Sequence, residues 1–114
     1  MESESTRQQK VARQIQKDLA EIIRARGMAA YDGAMVTVSG VKITPDLALA
    51  KVYVSVFPSA KAVDVMGQLG EETSRLRGEL GRRVAKQLRI VPELAFYLDD
   101  SLDYVEHIDE LLKK

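Results

Sequence analysis

The sequence predicts a single α+β domain with element order α-β-β-α-α-β and a further helix at its C-terminal end. Apolar residues recur with helical spacing over residues 7–26, alternate with period two over 36–57 and 94–98, and return to helical spacing over 63–88 and beyond 101. Composition agrees: of 114 residues, 46% are hydrophobic and 30% charged, the proportions of one globular domain able to bury a core without staples. The chain has no cysteine, which removes disulfides, thiol catalysis and thiolate metal sites together. The start, MESESTRQQK, is acidic and polar, so no export signal is expected, and no apolar run approaches the length of a bilayer span.

The elements follow in order. Val11, Ile15, Leu19, Ile22 and Ile23 make one apolar stripe, with Arg7, Lys10, Arg13, Lys17 and Arg24 mostly off it. Thr6 and Gln9 have capping-box spacing at the start of this helix, and Gly27 stops it. Residues 28–34 lack periodicity and read as a loop through Asp32-Gly33. In MVTVSGVKI, Val36 and Val38 share one parity and Val41 and Ile43 the other, so a bulge at Gly40 is needed to keep one inward face. Thr44-Pro45-Asp46 is a turn, and LALAKVYVSVF returns as a second strand with Ala50, Val52, Val54 and Val56 facing one way.

Beyond Pro58, Ser59 is a candidate N-cap for a helical pattern running through Val63, Met66, Leu69, Thr73, Leu76, Leu80, Val84 and Leu88. Glycines at 67, 70, 78 and 81 interrupt it, so two helices broken near Gly70 are expected in place of one rod. PELAFYL alternates as a third strand, with Pro92 confined to its beginning. Asp100 or Ser101 can cap a last helix with Leu102, Val105, Ile108 and Leu112 on one face.

Seventeen Lys and Arg cancel seventeen Asp and Glu, but the charges are segregated. Between 75 and 89, Arg75, Arg77, Arg82, Arg83, Lys86 and Arg89 stand against Glu79 alone, whereas from 90 to 112 there are seven acids and no Lys or Arg. Such a dipole can steer a polyanion onto one end of a molecule; the alternative is a pair of solvated helix faces. On a helix from about 72 to 88, Arg75, Arg82 and Lys86 lie beside the Leu76-Leu80-Val84 stripe, so one side can pack while the other meets phosphate. Tyr53 and Phe57 share one strand face, where they either join the core or, if that face is open, stack bases.

Catalysis finds no support. His107 is the only histidine and sits among acids, Glu71-Glu72 and Asp99-Asp100 suit helix starts better than acid/base dyads, and no P-loop, dinucleotide fingerprint or nucleophile elbow is present. No catalytic residue, metal site, cofactor or small-molecule substrate is expected.

The element order is that of the type II K-homology (KH) domain, in which a GxxG loop between consecutive helices clamps a nucleic-acid backbone. Gly67-Gln68-Leu69-Gly70 fits that pattern at the expected place, and Gly78-Glu79-Leu80-Gly81 fits it elsewhere, so the motif alone settles nothing.

VSGVKITPDLALAKVYVSVF (38–57) and ELGRRVAKQLRIVPELAFYLDDSLDYVEHIDELL (79–112) resemble the ribosome-binding factor A family, and the resemblance extends over nearly the whole chain. It implies a cytoplasmic, non-catalytic assembly factor of bacterial type with a type II KH-like fold. Such a factor binds the immature small ribosomal subunit and its precursor ribosomal RNA, supports late maturation and processing of that RNA, and matters most in the cold. In the family an Ala-x-Gly kink replaces the GxxG loop; the matching positions here are Glu72-Thr73-Ser74, which keep neither small residue, leaving Gly70 to take the bend. The resemblance places RNA contact on Arg75, Arg77, Arg82, Arg83 and Arg89, beside Lys86 of the same basic block. Residues 1–6 are then a disordered extension, 7–100 the RNA-binding domain, and 101–114 an acidic helix packed on or beside it, in a monomer with no membrane partner. The alternative is a small protein-interaction adaptor whose acidic last helix docks a basic protein.

Overall fold

The computed structural model of the chain describes residues 5–88 and 90–99. Helix α1 (Thr6–Arg26) buries Val11, Ile15, Leu19, Ile22 and Ile23 along the expected stripe. Its capping box sits one residue ahead of the expected one. Ser5 Oγ accepts from the Gln8 N–H at 3.1 Å, and Gln8 Oε1 accepts from the Ser5 N–H at 2.9 Å. The reason is tertiary: Gln8 Nε2 also donates to the Ile43 carbonyl at 2.8 Å, which turns Gln8 inward and leaves Gln9 exposed. Ser5 and Thr6 therefore belong to the start of the helix. Gly27, at φ 81°, ends it, its N–H donating to the Arg24 carbonyl.

The segment expected to be a plain loop carries a short 3-10 helix (Met28–Tyr31) that drives the Tyr31 ring into the core, after which Asp32 and Gly33 turn back through the left-handed region. Strands β1 (Met35–Ile43) and β2 (Leu49–Phe57) then pair antiparallel. Val38 opposes Val54 and Gly40 opposes Tyr53, so Ser39 is the extra residue of a bulge. As expected, the bulge restores one inward face: Val38 and Ile43 are buried, and Val36 and Val41 pack against the core. In the connecting turn the Leu47 N–H donates to the Thr44 carbonyl at 2.8 Å. Asp46 Oδ1 accepts from the Thr44 hydroxyl and the Ala48 N–H, which holds the Asp46 carboxyl below the usual carboxylate range.

A second 3-10 turn (Ser59–Lys61) precedes α2 (Ala62–Glu71), which begins without a side-chain cap; Ser59 does not act as one. Helix α3 (Thr73–Val84) follows at once, and the chain returns through β3 (Glu93–Leu98), parallel to β2. The sheet order is β1-β2-β3, with the helices on one face, and this is the type II KH-like arrangement. Between the layers lie Ile15, Leu19, Val52, Val54, Leu69, Leu76, Leu80 and Val84, all fully buried. At roughly 25 cal/mol per Å² of apolar surface, this interface is the main stabilising contribution.

The opposite sheet face is open among the described residues. Tyr53 and Tyr97 stack on it with ring centroids 5.6 Å apart, and Phe57 and Met35 are 63% and 53% exposed. Tyr53 and Phe57 thus stay out of the core. Helix α3 ends at Val84, four residues before the apolar period does; residues 85–87 form a turn in which the Gln87 and Leu88 N–H groups both donate to the Val84 carbonyl at 2.8 Å. The expected last helix, its cap candidates Asp100 and Ser101, and His107 all lie outside the described residues.

Candidate nucleic-acid interface

The two consecutive helices meet at Glu72, whose φ of −93° and ψ of 4° break the helical ladder. The bend therefore falls at Glu72 and not at Gly70, which stays inside α2. Both GxxG matches also lie within helices, the first in α2 and the second in α3, so neither forms a loop that could clamp a backbone. Around Gly67, Gly70 and Gly78 a Cβ would meet nothing within 4 Å, so packing does not require glycine there.

Side chains, not small residues, hold this elbow. The Thr73 hydroxyl donates into the last turn of α2, toward the carbonyls of Leu69 and Gly70, both at 3.0 Å. Glu72 pairs with Arg26 at the end of α1, and the same guanidinium reaches Glu79 on α3 at 2.7 Å. One arginine thus ties three helices at the bend. Burial, the largest influence on Arg26, would lower its pKa, but Glu79 and Tyr31 outweigh it and the net direction is upward. Tyr31 lies beside this cluster with its hydroxyl buried and without a well-formed hydrogen bond. Burial raises its pKa and the Arg26 charge opposes the rise only in part.

The residues of the basic block separate into three groups. Arg77 turns toward the α3–β3 connection, donating from Nε to the Pro92 carbonyl at 3.0 Å and from a terminal nitrogen to the Val91 carbonyl at 2.6 Å. Arg83 turns toward α1, pairing with Glu21 at 2.7 Å and approaching Asp18 at 4.0 Å. Arg75 and Arg82, seven residues apart on α3, are exposed and make no ion pair among the described residues. Lys86 is exposed as well, in the turn after α3 and not on the helix, and Arg89 lies outside the described residues. Thr73, Ser74 and Arg77 line a groove of about 630 Å³ between α3 and the start of β3, with Gly78 and Leu94 in its wall. The block is thus a mixture of fold-holding and solvent-facing arginines.

Arg26 carried no sequence signal for its role. It reads as a favourable charge in the last turn of a helix, and its partners stand 46 and 53 residues further along. Among the described residues no group of three His, Asp or Glu side chains is placed to hold a metal ion, and no helix is long and apolar enough to cross a membrane.

Residues 7–112 match the family model described as ribosome-binding factor A. Ribosome-binding factor A of Cytophaga hutchinsonii is 40% identical over 111 residues, covering 97% of this chain and 84% of that one. That of Flavobacterium psychrophilum is 44% identical over 113 residues, covering 96% and 85%. The crystal structure of ribosome-binding factor A from Thermus thermophilus superposes with a TM-score of 0.66 at 27% identity, covering 80% of this chain and 94% of that one. A Thermus thermophilus homology model of the same factor, fitted into the cryo-EM map of its complex with the 30S subunit, gives 0.60 at 28% identity, covering 77% and 90%. With the family model spanning the fold, the elbow and the basic block alike, this chain belongs to the ribosome-binding factor A family.

Proposed function

We propose that this protein binds the immature small ribosomal subunit through its ribosomal RNA, using the outer face of α3, and supports late maturation and processing of that RNA without catalysing a reaction. Membership of a family named for ribosome binding supports the partner, as does the 30S complex of the Thermus thermophilus factor. The observation that carries the surface is the pair Arg75 and Arg82: two arginines on one row, free of internal ion pairs among the described residues, on a helix whose other side is locked into the core. Guanidinium groups suit phosphate because they can bind it bidentately. Phosphate contacts supply affinity, while the shape of the RNA supplies selection. The protein then acts by holding one RNA conformation: whatever it binds better becomes more populated. This is cytoplasmic work for a monomer, and it matters most in the cold, where RNA rearrangement is slow.

In cells lacking the protein, small-subunit RNA precursors with unprocessed ends should accumulate at low temperature. The wild-type chain should clear them, and R75E/R82E at equal abundance should not. Full rescue by a folded R75E/R82E chain would overturn the assignment of α3.

A further inference from the structure

We propose that the outer face of α1 is a second phosphate-binding surface, which together with α3 forms a two-helix cradle for a double-helical segment of RNA. The inference rests on the reading of α3 above and extends it to residues which that reading does not use. Lys10, Arg13, Lys17 and Arg24 are all exposed. At about 100° per residue they fall within an arc of about 60°, directly opposite the buried stripe, along about 21 Å of helix.

The ion pairs in the seam between the helices leave these cations uncompensated. The acids of α1 are Asp18 and Glu21, and both face Arg83 of α3. Glu72 at the elbow and Glu79, the acid of α3, both face Arg26 of α1, whereas Glu71 at the end of α2 is exposed. Every acid of the pair is therefore turned into the seam, and the outward cations of α1 make no ion pair among the described residues. The same pairings show that the helices run antiparallel, since the end of α1 meets the start of α3 and Glu21 meets Arg83. The Arg75 and Arg82 row thus lies beside the α1 row at about one helix spacing, roughly 8–10 Å between axes.

The occupant is a polyanion, and duplex RNA fits best. Insertion into a membrane needs a free apolar helix face, and that of α1 is buried in the core. Single strands need aromatic platforms, and the exposed Phe57 and Tyr97, with the half-buried Tyr53, are on the far side of the sheet. Two rigid rows of cations instead match the phosphates flanking the wide, shallow minor groove of an RNA helix.

The test is fluorescence anisotropy of the full chain with a labelled RNA hairpin and with an unstructured RNA of equal length, between about 50 and 200 mM salt. Each phosphate that a variant no longer neutralises should lower the slope of log K against log salt by about 0.7–0.9. For K10Q/R13Q/K17Q/R24Q the expected fall is about 3, with at least tenfold weaker hairpin binding, while K10R/K17R should bind as the wild type does. Should the fourfold variant lose its helical circular dichroism, the single variants R13Q and K17Q should each lower the slope by about one. An unchanged slope in the α1 variants, with binding lost in R75Q/R82Q, would overturn the cradle and leave the α3 reading standing. No loss in either set would overturn both. Equal or tighter binding of the unstructured RNA would overturn the duplex as ligand.

Discussion

Arg75 and Arg77 stand two residues apart on α3 and have different work. Arg77 is bonded to the Val91 and Pro92 carbonyls and so fixes the path from α3 into β3, whereas Arg75 faces solvent. Arg77→Ala should lower unfolding stability by about 1–2 kcal/mol in a urea titration, since it removes charged hydrogen bonds that are partly solvated. Arg75→Ala should stay within about 0.5 kcal/mol of wild type and weaken only RNA binding. A run of arginines was legible as a basic block; which of them hold the fold was not, because the partners are carbonyls 14 and 15 residues further on and an acid 62 residues back.

Tyr31 gives a residue-level test with a pH sign. Its pKa is raised in the fold by burial, so below the ordinary tyrosine value of about 10 both folded and unfolded chains keep the proton and the contribution is constant. Above that pH the unfolded chain ionises first, and stability falls until the folded pKa is passed. Tyr31→Phe removes a buried hydroxyl without a well-formed partner, so at pH 7 it should be neutral or stabilising by up to about 1 kcal/mol. The difference in its favour should widen in melts above about pH 10. An equal alkaline loss in both proteins would contradict the burial argument.

At the scale of elements, the elbow between α2 and α3 falls at Glu72, where an ion-paired cluster holds it, and not at Gly70, where the bend was expected. Arg26→Met keeps most of the side-chain volume and removes the ties to Glu72 and Glu79. The expected cost is about 2 kcal/mol, since two half-buried carboxylates lose their partner, with faster amide exchange concentrated at the end of α2 and the start of α3. Uniform exchange along both helices would count against a local clamp. The sequence made some elements plain and others not, for physical reasons. A bulge was readable at Gly40, one residue from the extra residue Ser39, because the inward-facing residues change parity there, and parity is decided by burial alone. The cap of α1 was misplaced by one residue because Ser5/Gln8 and Thr6/Gln9 have the same spacing, and only the reach of Gln8 to Ile43 chooses between them. The end of α3 was set too late because Leu88 still packs against the core from the turn, so the apolar period outlasts the helix.

For the whole molecule, the sheet separates two surfaces of different chemistry. The α1–α3 pair turns its acids into the seam, where Arg26 and Arg83 meet them, and leaves its remaining exposed cations outward, while the sheet face that is open among the described residues carries the stacked Tyr53–Tyr97 pair with the exposed Phe57. Overall neutrality hid this arrangement: the formal charge is zero, and only folding sorts which cations are internally paired. Family membership was legible from long matching segments, whereas the surface that meets RNA depends on tertiary pairing.

The most direct test of the central claim is co-sedimentation of the full chain with small ribosomal subunits across a salt series, comparing wild type with R75E/R82E after both are shown to be folded. The account predicts wild-type binding that weakens steadily as salt rises and is lost in the variant at every salt concentration. Binding that ignores salt, or that survives in R75E/R82E, would contradict it and move the contact to a protein partner.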